Sequence, residues 1–127
     1  MKKPGQKIPL WRWIPPAILL LGAPALVWAH AFLYYSVPKA GAVLTNAPAE
    51  IKICFTEDLQ PNGSTIQVRN SQGREVDRKD SHRGAKDHAL LFVSLPKKLP
   101  PGDYKVFWHA VAEDGHETEG HFEFTLQ

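Results

Sequence analysis

Asp114 and His116 stand two residues apart in the stretch Trp108-His109-Ala110-Val111-Ala112-Glu113-Asp114-Gly115-His116. They offer a carboxylate oxygen and an imidazole nitrogen to one small volume. In extended backbone, residues i and i+2 point to the same side, so the pair can converge on a single ion. The same tripeptide also makes an ordinary turn, in which Gly supplies positive φ and Asp bonds its own backbone. Further donors lie at the other end of the chain, where His30 follows Val27-Trp28-Ala29. If the chain is cut after Ala29, His30 carries a free α-amine beside its imidazole, and the two can chelate one metal. The reference pKa of that amine, about 7.7–8.0, lets a metal displace its proton near neutrality.

The cut is expected because residues 1–29 read as an export signal. Lys2, Lys3, Lys7 and Arg12 form a positive leader without an acid, and an apolar run from Ile14 to Trp28 follows. Ala29 is small enough for signal peptidase. The run falls short of the roughly 20 residues of a spanning helix, and Pro15, Pro16 and Pro24 weaken it further, so no span is expected in the mature chain. A competing cut exists: Ala29-His30-Ala31 is an A-x-A sequence, and cleavage after Ala31 would discard His30.

Four of the 15 Lys and Arg residues leave with the signal. The remaining 11 face 13 acids, a formal charge of −2 in place of +2. The basic balance of the whole chain therefore belongs to the leader and gives no argument for nucleic acid. Residues 30–127 suffice for one domain with one core.

The elements that must position the donors read as short strands. Ala31 to Val37 is apolar and aromatic and stops at Pro38. Glu50 to Thr56 alternates, with Ile51, Ile53 and Phe55 on one face. Pro61-Asn62-Gly63-Ser64 is a turn before Ile66 and Val68, and Ser71-Gln72-Gly73 is a hairpin turn. Arg74 to His88 is polar and reads as a solvated loop. Ala89 to Leu95 is a further strand. Tyr104, Val106 and Trp108 alternate in one strand and Phe122, Phe124 and Leu126 in the next, with the Asp114–His116 loop between them. No stretch has a helical period. The pattern predicts an all-β domain, a small antiparallel β-sandwich or Greek-key barrel of immunoglobulin-like or cupredoxin-like form.

Cys54 is the single cysteine, which excludes an intramolecular disulfide and reads as a small packed residue. The chain has no CxxC, no HExxH, no phosphate-binding glycine loop and no Gly-x-Ser-x-Gly elbow.

Taken together, His30 after the signal, Ser36-Val37-Pro38-Lys39-Ala40-Gly41, Phe55-Thr56-Glu57-Asp58-Leu59, Leu99-Pro100-Pro101-Gly102-Asp103-Tyr104 and Trp108 through Phe124 resemble the CopC-type periplasmic copper-resistance family. The resemblance spans essentially the whole mature chain. It implies a β-sandwich that binds Cu(II) through the amine and ring of the N-terminal His and through an Asp-x-His loop, here His30, Asp114 and His116. Such an N,O set suits tetragonal Cu(II), which tops the divalent affinity order, although Zn(II) accepts the same ligands in a tetrahedron. Some family members hold Cu(I) in a methionine-rich stretch. Met1 is the only methionine here and leaves with the signal, so that site is not expected. Ala112 stands where the family often has Ser, and Glu117 where it often has Pro. His109 and His121 are additional, and a loop centred on residues 114–116 would set them opposite one another.

The resemblance implies a non-enzymatic copper carrier or buffer of the periplasm or another exported compartment, with a CopD-type inner-membrane protein as partner. Two alternatives come from other classes. A copper monooxygenase also uses an N-terminal His chelate, but completes its site with a second His; a nearby carboxylate favours Cu(II) over Cu(I) and opposes redox turnover. A metal-free immunoglobulin-like adhesion module would bind no copper tightly.

Overall fold

The computed structural model describes residues 31–127. Eight strands run in order: β1 (Leu33–Val37), β2 (Val43–Leu44), β3 (Glu50–Phe55), β4 (Thr65–Arg69), β5 (His82–Arg83), β6 (Leu90–Ser94), β7 (Gly102–Val111) and β8 (Glu117–Leu126). They form two four-stranded sheets, ordered β1-β3-β6-β5 and β2-β8-β7-β4. The two sheets face each other as a sandwich. All pairings are antiparallel except β2 with β8, which is parallel. Among the described residues there is no helix.

Alternation builds the core. Ile51, Ile53 and Phe55 of β3 and Leu91 and Val93 of β6 point inward from one sheet. Ile66 and Val68 of β4, Tyr104, Val106 and Trp108 of β7, and Phe122, Phe124 and Leu126 of β8 meet them from the other. Each large apolar side chain so buried contributes about 1.5–3 kcal/mol. The Phe55 ring meets Trp108 edge-on at 5.1 Å, tying the sheets together at the end where β7 turns into β8. Trp108 pairs with Gly120 across the hairpin, and a Cβ there would lie 2.6 Å from Trp108 Cζ2. The glycine leaves room for the indole.

The polar run from Arg74 to His88 is not simply a solvated loop. Strand β4 is an edge, and an unpaired edge exposes its N–H and C=O groups. Residues 75–81 cover that edge. Asp77 is buried, and its Oδ2 accepts from Val68 N at 2.8 Å. Val76 N donates to Val68 O at 2.8 Å, and Ser81 Oγ accepts from Ile66 N at 2.9 Å. The same segment reaches the other sheet, where Arg78 N donates to Ser94 O at 2.9 Å and Asp80 Oδ1 accepts from Ser94 N at 2.8 Å. Those bonds hold the Asp80 carboxyl below the ordinary carboxylate range. The polar residues thus stitch the two sheet edges together, and the chain then forms β5.

Candidate metal centre

Strands β7 and β8 close on the pair Val111–Glu117 and leave Ala112 to His116 as the loop. Gly115 has φ +94°, which a Cβ-bearing residue rarely adopts. The loop is braced from within by Gly115 N donating to Ala112 O at 2.8 Å and Ala112 N donating to His116 O at 2.9 Å. It is braced from outside by Glu113 N donating to Asp58 O at 2.9 Å and by the bridge between buried Leu59 and buried Ala112. Ala112 is part of the core.

Asp114 and His116 come together here. Asp114 Oδ1 accepts from His116 N at 3.0 Å, and Asp114 Oδ2 lies 2.9 Å from His116 Nδ1. The convergence comes from an Asx turn rather than from extended backbone: the carboxylate caps the turn and meets the ring in the same gesture. At 2.9 Å the two atoms stand at ordinary hydrogen-bond distance. The Asp114 and His116 side chains are 48% and 42% exposed.

His30 lies outside the described residues. Its covalent neighbour does not. Ala31 is fully buried, and its carbonyl accepts a hydrogen bond from Thr118 Oγ1, two residues beyond His116. Phe32 is held by a reciprocal pair: its N–H donates to Thr56 Oγ1 at 3.0 Å, and Thr56 N donates to Phe32 O at 2.8 Å.

The additional histidines are arranged differently from the expectation. The hairpin register sets His109 against Glu119 and His121 against Phe107, because the loop centres on Asp114 and not on Gly115. His109 and His121 line one open cavity of about 350 Å³ with Trp108 and Glu119. His109 Nε2 is 2.7 Å from Glu117 Oε1, and the His121 ring lies against Phe107 at 5.8 Å. The Cys54 thiol, partly buried in β3, is pushed above its ordinary pKa by burial and then by the Asp87 carboxylate.

Another group of donors has no sequence signal. Asp58, His88 and Glu113 each bring a ligand atom to within 4.8 Å of the other two. They come from three separate segments, and only the folded chain assembles them.

Residues 33–127 match the model of the CopC domain. The chain belongs to the CopC family. It is 36% identical over 101 residues to protein YobA of Escherichia coli K12, covering 80% of this chain and 82% of that one. It is 32% identical over 110 residues to copper resistance protein C of Xanthomonas campestris pv. juglandis, covering 83% and 86%. The crystal structure of CopC from Methylosinus trichosporium OB3b superposes with a TM-score of 0.72 at 30% identity, over 77% of this chain and 94% of that one.

Proposed function

We propose that this CopC-family protein is exported, loses residues 1–29, and binds Cu(II) through His30, Asp114 and His116 as a carrier or buffer in copper homeostasis or resistance. The observation that carries the reading is the docking of Ala31. A fully buried residue hydrogen-bonded to Thr118 fixes the chain one peptide unit, about 3.8 Å between Cα atoms, from His30. That anchor is on the same strand as the end of the Asp114–His116 loop. In this reading the amine and ring of His30 add to the carboxylate and imidazole that the loop brings together.

Copper comes to this chain through the copper resistance protein of Xanthomonas and the shared family, and Cu(II) through the donor types. Binding exchanges protons for metal at nitrogen and leaves one carboxylate to offset the charge, which stabilises the divalent state. Such a site stores or passes an ion and does not cycle it. The exported domain would operate in the periplasm, with a CopD-type membrane protein as the expected recipient or source.

Titration against a competing chelator tests the ligands. Outer-shell partners alone commonly cost roughly 10–100-fold in metal affinity, so Asp114→Ala and His116→Ala should each lose at least that, with an unchanged circular-dichroism spectrum. Undiminished affinity in both would remove the loop from the site.

A further inference from the structure

We propose that Asp58, His88 and Glu113 form a second site, for a borderline divalent cation such as Zn(II), apart from the Asp114–His116 pair. The donor set is one imidazole and two carboxylates, all within 4.8 Å of one another. A tetrahedral ion with bonds of about 2.1 Å needs donors about 3.4 Å apart. The trio has to draw in by at most about 1.4 Å. Two carboxylates balance a divalent charge, and the imidazole favours a first-row transition ion over the all-oxygen shells of calcium and magnesium.

The backbone holds the three segments in place without metal. Leu59 N donates to His88 O at 2.9 Å and Glu113 N to Asp58 O at 2.9 Å, so Asp58 is tied between the other two. Leu59, the next residue, is fully buried and pairs with Ala112. Arg83 donates to the carbonyl of Leu59 at 3.0 Å. Glu113 and Asp114 are sequence neighbours that serve different groups, the first facing Asp58 and His88 and the second facing His116. Three protein ligands leave a fourth position for water or an exchanging ligand. A protein built this way takes up a second ion of different preference beside the first.

The test is calorimetric titration of the folded, processed protein with zinc chloride in the Asp114→Ala/His116→Ala background, where the first site is disabled. One equivalent of Zn(II) should bind. Adding His88→Ala should weaken it at least tenfold, and Glu113→Gln, which keeps side-chain shape, should do the same. In that background, Zn(II) should also shift the ring nitrogens of His88 in a nitrogen-15 correlation spectrum. Failure of the double variant to bind Zn(II), or binding indifferent to both His88→Ala and Glu113→Gln, would overturn the proposal. Since the background already lacks Asp114 and His116, neither result depends on how copper is bound.

Discussion

Replacing Thr118 with Val removes one hydroxyl and almost no volume, and it probes the contact that brings the N-terminal segment to the loop. The hydroxyl donates to the carbonyl of Ala31, and Ala31 is fully buried, so water cannot take over the lost bond. An ordinary hydrogen bond is worth about 0.5–1.5 kcal/mol net, whereas a buried acceptor left unpaired costs about 1–3 kcal/mol. The larger figure applies here. For a domain of this size, 1 kcal/mol moves the melting temperature by about 4–8 °C, so Thr118→Val should melt roughly 4–24 °C below the parent by differential scanning calorimetry. Thr118→Ser keeps the donor and loses a methyl, and should recover most of that loss. The Val variant should also open the segment around Ala31 and Phe32 to faster amide exchange, while the core strands β3 and β6 stay protected. A Val variant that melts within a degree of the parent, with unchanged exchange at Phe32, would refute the docking argument.

Two further outcomes follow from the packing and the edge stitch. Gly120→Ala places a Cβ 2.6 Å from Trp108 Cζ2 and 2.9 Å from Cε2; the indole is backed by Phe55 and cannot retreat, so overpacking should cost about 1–3 kcal/mol, read as a lower urea midpoint, and a neutral result would show that Trp108 repacks freely. The depressed Asp80 carboxyl contributes stability that is fully present above its unfolded pKa of about 3.9 and is lost as pH falls through its lower folded value; Asp80→Ala should therefore lower the urea midpoint near neutrality and converge on the parent in strong acid, and a constant gap at all pH values would contradict this.

The long strands were legible because period-2 alternation is a local signal. Ile51, Ile53 and Phe55, or Tyr104, Val106 and Trp108, announce a face without reference to any partner. The hairpin and its Asp114–His116 loop were legible for the same reason, helped by a glycine where the turn needs positive φ. Strands β2 and β5 were not, since two residues carry no period; the partner of β2 also lies far away in sequence, Val43 pairing with Thr125, while β5 pairs with the next strand, His82 with Phe92. Asp77 was misleading because a charged residue in a polar run reads as solvated, whereas its carboxylate here terminates an exposed strand edge. His109 and His121 depended on a shift of one residue in the loop centre, which moves one strand by two residues against the other. The convergence of Asp58, His88 and Glu113 has no local signature, because backbone bonds between distant segments create it.

The most direct test of the copper reading concerns one amine. Acetylating the α-amine of the processed protein keeps every side chain and removes a single donor. If His30 chelates through amine and ring, Cu(II) affinity should fall steeply in a chelator competition, and the EPR spectrum should change as one nitrogen leaves the coordination plane. Acetylated protein that binds Cu(II) as tightly as the unmodified form, with an unaltered spectrum, would contradict the N-terminal chelate.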